Sequence, residues 1–136
     1  MQSLDSLPRI QSKNSPQLAQ PAGHYSHVCI AGGFIHISGL LPLDQAGHSM
    51  SGESFQIQVE QVLANLDACL ECAGVTRDSL VQVRIYLTDM SAWPQFNDIY
   101  SKWIGDHRPA RAVAGVASLH FDSSVEVEAL ALAPGS

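Results

Sequence analysis

The chain has 136 residues, of which 46% are apolar, and a formal net charge of -6. This length supports one domain, and the excess of negative charge repels a phosphate backbone, so we expect no nucleic-acid partner. No stretch approaches the roughly 20 apolar residues of a membrane span, and the N-terminus lacks the basic start and apolar middle of a secretory signal. We therefore predict a single domain over residues 1–136, located in the cytoplasm, with no membrane partner.

The predicted elements begin in a polar segment. Residues 1–20 are expected to be loosely held, apart from a short strand at residues 9–11, and the folded body is expected to start near Gly23. The run HVCIAGGFIHISG has two β-rich stretches on either side of Gly32 and Gly33, which predicts a hairpin.

Two amphipathic helices and a strand follow. From Phe55 the apolar residues recur at three- and four-residue steps until Gly74, which predicts the first helix. The run LVQVRIYLT then alternates in polarity and predicts a half-buried strand. Its expected buried face carries Val81, Val83, Ile85 and Leu87. An aromatic pattern from Trp93 to about Gly105, with Pro94 in the first turn, predicts the second helix.

Two last strands, Ala110 to Ala117 and Ser124 to Leu132, complete the order hairpin, helix, strand, helix, strand, strand. This order predicts an α+β fold with two helices on one face of a single mixed sheet. The opposite face is apolar and has no third helix to cover it. We therefore expect a homo-oligomer to close over that face.

The run RPARAVAGV places Arg111 at the head of a predicted strand. On a strand, Arg111, Val113 and Gly115 share one face, where small neighbours leave room for a ligand. A guanidinium offers a planar fork of donors that matches a carboxylate. The alternative is a structural ion pair with Glu126 or Glu128 on the neighbouring strand.

Other polar residues also allow two interpretations. Glu126 and Glu128, two apart in VEVEALAL, can pair with Arg84 or Arg111, position a water as a general base, or face solvent. Tyr25 can pack or close the rim of a pocket. The amide of Asn97, within helical reach of Trp93 and Tyr100, can cap a loop or contact a ligand.

No motif points to a cofactor or a metal. The chain has no phosphate loop, no dinucleotide fingerprint, no nucleophile elbow and no zinc-ligand spacing. The SGL at Ser38 to Leu40 is interpreted as a strand end with a turn. Cys69 and Cys72 fall late in the first helix, which favours buried structural thiols over a redox pair.

Seven segments together resemble the YjgF or Rid (reactive intermediate deaminase) family in order and spacing. They are GHYSHV, ISGLLPLD, QVEQVLANLDACLECAG, VRIYLTDM, FNDIY, GDHRPARAVAGV and VEVEALAL. The resemblance covers roughly residues 9–132. It implies a chorismate-mutase-like fold, assembled as a homotrimer with three clefts between subunits.

The resemblance also implies an activity. In family members with deaminase activity, the arginine of the PAR motif, here Arg111, binds the carboxylate of a 2-imino or enamino acid. Tyr25 and Asn97 match cleft residues contributed across the interface, and Glu126 matches the glutamate that places the hydrolytic water. The expected reaction is a cofactor-free hydrolysis to a 2-keto acid and ammonia, with the backbone around Val113 helping to align the water.

The chain departs from the family's usual residues at several positions. Leu40 stands where glutamine is usual, Val113 where cysteine or threonine is frequent, and His24 and His120 where proline is usual. Leu40 removes a polar group from the cleft, so we expect a larger or more apolar substrate than 2-aminoacrylate or 2-iminobutanoate. The alternatives are a pathway-specific deaminase for a larger enamine and a non-catalytic protein that binds a carboxylated metabolite. Nuclease activity is disfavoured by the acidity.

Overall fold

The computed structural model describes residues 9–135, which form one six-stranded mixed sheet and two α-helices. The strands are β1 (Gln11–Lys13), β2 (Val28–Ala31), β3 (Phe34–Leu40), β4 (Leu80–Leu87), β5 (Ala110–Gly115) and β6 (Val125–Leu132). The helices are α1 (Phe55–Cys72) and α2 (Trp93–Ile104). The strand order is β1-β2-β3-β6-β4-β5, with β4 and β5 parallel and the other pairs antiparallel. The predicted α+β fold is confirmed.

The first hairpin forms where the glycines predict it. β2 and β3 are joined by Gly32 and Gly33 alone, whose φ angles are 59° and 84°. A two-residue hairpin turn of this kind needs positive φ at both positions, which glycine adopts without a steric cost. The tight turn sets the register of β2 against β3.

The core lies between the helices and one face of the sheet. Its largest fully buried side chains come from α1, α2, β2, β3 and β4 and include Val59, Leu63, Leu66, Leu70, Phe96, Ile35, Ile85 and Leu87. Val81 was predicted to lie on the buried face of β4, and this prediction is wrong. The pairing of β4 with β6 shifts between Leu80 and Gln82, so Leu80 enters the core while Val81 stays 39% exposed.

Neither helix packs on the opposite face of the sheet. That face carries polar and apolar side chains from its central strands, including His36, Arg84, Tyr86, Glu126, Glu128 and Leu130. At one end Phe34 and Leu132 remain exposed. An oligomer that covers this face stays a prediction.

The N-terminal segment is held more firmly than expected. The amide of Ser15 donates to Nδ1 of His27 (3.0 Å), and Nε2 of His27 lies 3.1 Å from the carbonyl of Ala19. Nδ1 therefore accepts and Nε2 donates, so the ring is neutral, and burial lowers the pKa of His27. Residues 15–19 thus belong to the folded body. β1 begins and ends two residues later than predicted. The segment that was expected to be loosely held includes residues 1–8, which lie outside the described residues.

The Cys69 thiol is part of the core. It is fully buried in α1, and burial raises the pKa of this thiol to about 12. A thiolate is the reactive form of cysteine, so Cys69 is inert at neutral pH.

No helix within residues 9–135 is long and apolar enough to cross a membrane.

Candidate functional site

Arg111 lies on aromatic rings at the edge of the sheet. β5 pairs only with β4 among the described strands, and Arg111, opposite Val83, points to the helix side. Val113 and Gly115 share this face with it, as predicted. Its Nη1 donates to Oδ1 of Asn97 on α2 at 2.8 Å. Its Cζ lies 4.7 Å from the ring centre of Trp93 and 5.2 Å from that of Tyr100. We call these four residues, with Val113 two positions further along the same strand face, the arginine half.

The ion pair considered for Arg111 is absent within residues 9–135. β4 lies between β5 and β6, so Glu126 and Glu128 are not on the neighbouring strand. No carboxylate of the described residues lies within 4.0 Å of the guanidinium. Its neighbours on the strand face are small, as expected, but two aromatic rings of α2, which the sequence did not predict there, flank the group. Asn97 and the rings orient the guanidinium and leave other N–H donors for a ligand.

A cavity of about 430 Å³ lies beside the arginine half. It is lined by Asn97, Tyr100, Ser101, His107, Arg108 and Arg111, among others. The hydroxyl of Tyr100 is buried and has no hydrogen-bond partner within residues 9–135. Burial raises the pKa of this hydroxyl, and the nearby charge of Arg111 acts in the opposite direction. A buried hydroxyl without a partner is costly, and Tyr100 carries this cost beside the cavity.

Glu126 lies on the uncovered face of the sheet, opposite Tyr86 of β4. It is half-buried and has no hydrogen bond or ion pair within the described part of the chain. Burial raises the pKa of its carboxyl; His120 opposes this shift and Glu128 adds to it. Glu128, in contrast, accepts a hydrogen bond from the hydroxyl of Tyr86. Glu126 is therefore the carboxylate that is free to act.

Gly39 makes room for the Glu126 carboxylate. A Cβ at Gly39 would overlap Oε2 of Glu126, so only glycine fits without a shift. Analysis of the sequence missed this residue, although SGL does end a strand as predicted. Gly39 is the penultimate residue of β3, at an irregularity in the pairing of β3 with β6. We call Tyr25, Gly39, His120 and Glu126 the glutamate half.

A smaller cavity, of about 160 Å³, adjoins the glutamate half. Tyr25, Gly39, Leu40 and Phe121 are among its lining residues. Leu40 is only 6% exposed, because the irregularity in β3 turns it into the core. Phe121 was not a candidate from the sequence; the signal is a large aromatic residue in the polar loop SLHFDSS.

One copy of the chain does not bring the predicted site together. Arg111, Asn97 and Val113 lie on the helix side of the sheet, whereas Glu126 lies on the opposite side. Asn97, expected from the family resemblance as a cleft residue contributed across the interface, is hydrogen-bonded to Arg111 within one chain, and its role toward a ligand stays a prediction. A cleft that uses both halves requires two copies.

The family follows from a match over most of the chain. The model of the family described as endoribonuclease L-PSP matches residues 15–133. The chain belongs to this family, the YjgF/Rid family. The resemblance inferred from the sequence motifs is thereby confirmed.

Members of the Rid family with similar sequences and structures span several organisms. A RutC family protein of Pyrococcus horikoshii is 36% identical over 123 residues, covering 90% of this chain and 94% of that protein. The crystal structure of yeast Mmf1 has a TM-score of 0.88 at 30% identity and covers 92% of this chain and 99% of its own. RidA from an Antarctic Psychrobacter has a TM-score of 0.84 at 30% identity, with 90% and 98% covered. One relative, Mmf1, is mitochondrial by name, and the cytoplasmic location of this chain stays a prediction.

Proposed function

We propose that this Rid family protein hydrolyses 2-imino acids to 2-keto acids and ammonia, in clefts between the copies of a homotrimer. One observation carries the proposal. The chain presents an oriented guanidinium and a half-buried carboxylate, and within residues 9–135 neither has an ionic partner. Groups held in this state at a surface are suited to a ligand that supplies the missing interactions.

Arg111 binds the substrate carboxylate. Its fork of N–H donors matches two carboxylate oxygens, and it stays charged at any working pH. The bond to Asn97 and the rings of Trp93 and Tyr100 hold the fork in place before the substrate arrives. The hydroxyl of Tyr100 is a further donor beside the same cavity.

Glu126 of a second copy acts as the general base. A raised pKa brings a carboxyl closer to the working pH, which makes it a better base for water. The carboxylate takes a proton from a water while the water oxygen bonds to the C=N carbon, aligned by the backbone around Val113. The protonated Glu126 returns this proton to the nitrogen, which gives the carbinolamine. The hydroxyl proton of the carbinolamine then passes to the nitrogen as the C–N bond breaks, and the products are a C=O bond and free ammonia. The reaction uses one water and no cofactor or metal.

The two halves explain why the assembly is a closed ring. A contact between the arginine half of one copy and the glutamate half of the next joins two different surfaces. Such a head-to-tail contact closes into a ring when its rotation allows, and each interface of the ring then holds one complete cleft. The homotrimer expected for the family is a ring of this kind.

A binding protein without catalysis is the second candidate, since Leu40 contributes an apolar side chain where a glutamine is usual. RNA cleavage, which the family description endoribonuclease L-PSP suggests, is not proposed for this chain. Its net charge of -6 opposes the approach of a polyanion.

The test generates 2-iminobutanoate and 2-aminoacrylate in place with a threonine/serine dehydratase and follows the appearance of the 2-keto acid. The wild type is expected to accelerate it, and Arg111→Ala to reduce kcat/KM about 100-fold through loss of a charge-assisted pair. Lys102→Ala removes a cation on α2, in an exposed ion pair with Asp98, and serves as the control with an unchanged rate. No acceleration, together with saturable binding of 2-oxobutanoate that Arg111→Ala abolishes, would make the chain a binding protein.

A further inference from the structure

The 160 Å³ cavity beside the glutamate half presents an apolar interior. Leu18, Tyr25, Leu40, Leu43 and Phe121 are the large apolar side chains among those that line it, together with Leu41. An apolar cavity of roughly 150 Å³ holds a molecule of benzene. The space therefore matches an isobutyl or phenyl group, and is much larger than a methyl group needs.

Four polar side chains that line this cavity already have partners. Both ring nitrogens of His27 bond to the N-terminal segment, and the hydroxyl of Ser38 donates to the carbonyl of Ser26 at 2.6 Å. Nδ2 of Asn65 donates to two backbone carbonyls, each at 3.1 Å, and Asp44 accepts from the amide of His48. A ligand in the cavity thus meets carbon surface and few polar groups without partners.

Phe121 is held at the cavity by a strained backbone. Its φ angle is 59° and that of Asp122 is 54°, so two consecutive residues other than glycine adopt the left-handed conformation. Two serines keep the loop in place: Ser49 Oγ donates to the carbonyl of Phe121 (3.1 Å), and Ser123 Oγ donates to that of His120 (2.7 Å). Phe121 remains 58% exposed, so burial in this chain does not account for its conformation. The strain places an aromatic ring at the rim of the cavity.

The cavity starts next to the reacting group. Gly39 lines the cavity and also lies against the carboxylate of Glu126. In the proposed reaction Glu126 delivers water to the C=N carbon, and Arg111 of the neighbouring copy holds the carboxylate on that carbon. The remaining substituent of the carbon is the side chain of the imino acid. The cavity beside Gly39 is open to this side chain.

We propose that this cavity is the side-chain subsite, and that the preferred substrates are 2-imino acids with a branched or aromatic apolar side chain. The inference rests on the proposed function and specifies its substrate class. Phe121 is the specificity-determining residue, because its ring closes the cavity over the bound side chain. A methyl side chain leaves most of the cavity unfilled and gains less from burial.

The experiment compares imino acids generated from alanine, leucine and phenylalanine by an amino-acid oxidase with catalase present. The wild type is expected to show kcat/KM at least about tenfold higher for the leucine and phenylalanine products than for the alanine product. Phe121→Ala is expected to reduce this preference about tenfold, and Phe121→Leu to retain most of it. The control is Val81→Ala, which removes an exposed apolar side chain at the far end of β4 and keeps the wild-type preference. Thermal melts confirm that each variant is folded.

Failure of this inference is distinguishable from failure of the proposed function. Hydrolysis of the alanine product as fast as the larger ones, or an unchanged preference in Phe121→Ala, overturns the inference alone. If no imine is hydrolysed, the proposed function fails, and calorimetric titration with pyruvate and 4-methyl-2-oxopentanoate still tests the cavity. Tighter binding of the larger keto acid, lost in Phe121→Ala, supports the subsite, whereas equal binding overturns it.

Discussion

The two halves of the candidate site are built in different ways. In the arginine half, Trp93, Asn97 and Tyr100 follow one another along one face of α2, and Arg111 comes from an adjacent strand, so regular structure alone positions them. The glutamate half draws on three distant segments, around Tyr25, Gly39 and Glu126. Its carboxylate has no partner within residues 9–135, and the neighbouring loop is strained. The arginine half is thus a prepared binding surface with one costly group, the unpartnered hydroxyl of Tyr100, whereas the glutamate half combines an unpartnered carboxylate with a strained loop, as is typical of reactive centres.

Mixing two inactive variants tests whether the halves meet between copies. Arg111→Ala and Glu126→Gln are each expected to be nearly inactive. When the two are unfolded and refolded together in equal amounts, random assembly pairs an intact arginine half with an intact glutamate half at about a quarter of the interfaces. We expect about a quarter of the wild-type rate, measured by keto-acid appearance, while each variant refolded alone stays at background. A mixture no more active than its parents would show that the halves act separately.

The charge on Glu126 is expected to favour catalysis and oppose stability. Its pKa is raised by burial, so the folded state binds this proton more tightly than the unfolded state does, and the ionised form costs free energy at neutral pH. Glu126→Gln is therefore expected to lower kcat about 100-fold while the melting temperature at pH 7 stays the same or rises. The wild-type rate should fall as the pH drops through a pKa above the usual glutamate range.

Glu128→Gln is the matched control for Glu126→Gln. It replaces a carboxylate on the same strand face that accepts a hydrogen bond from Tyr86, so no gain in stability is expected. A melting temperature lowered by Glu126→Gln and not by Glu128→Gln would contradict the view that Glu126 is the strained carboxylate.

A smaller effect is expected when the space beside Glu126 is filled. Gly39→Ala would push the carboxylate aside and lower kcat about tenfold, since small displacements of a catalytic group are costly. Gly52→Ala is the control, because a Cβ there meets nothing within 4 Å and the backbone φ is not in the left-handed region. Equal rates for both variants, with both proteins folded, would mean that the position of Glu126 is not set by Gly39.

Particular residues show which parts of the fold and of the candidate site could be predicted from the sequence. The period of α1, the aromatic face of α2 and the glycine pair of the hairpin are local signals, and each element appears where they predict it. The prediction for Val81 fails because a bulge changes the register of β4 against β6. The strictly alternating sequence of this strand does not indicate the bulge. Phe121 and Gly39 were missed because their importance lies in what a distant segment brings against them. The roles of Arg111, Glu126, Tyr25, Asn97, Val113 and Leu40 toward a substrate stay predictions.

The sequence by itself determined the elements, the family and the face on which most strand residues lie, with Val81 as an exception. These follow from periodicity and turn chemistry, which act over a few neighbouring residues. Only the tertiary structure decided the strand order, in which β6 pairs between β3 and β4 and separates Glu126 from the strand of Arg111. Pairing of distant strands depends on the packing of the whole core against the helices, so a local pattern in the chain does not specify it. The register, which pairs Arg111 with Val83 and Glu126 with Tyr86, puts the two halves on opposite faces of one copy.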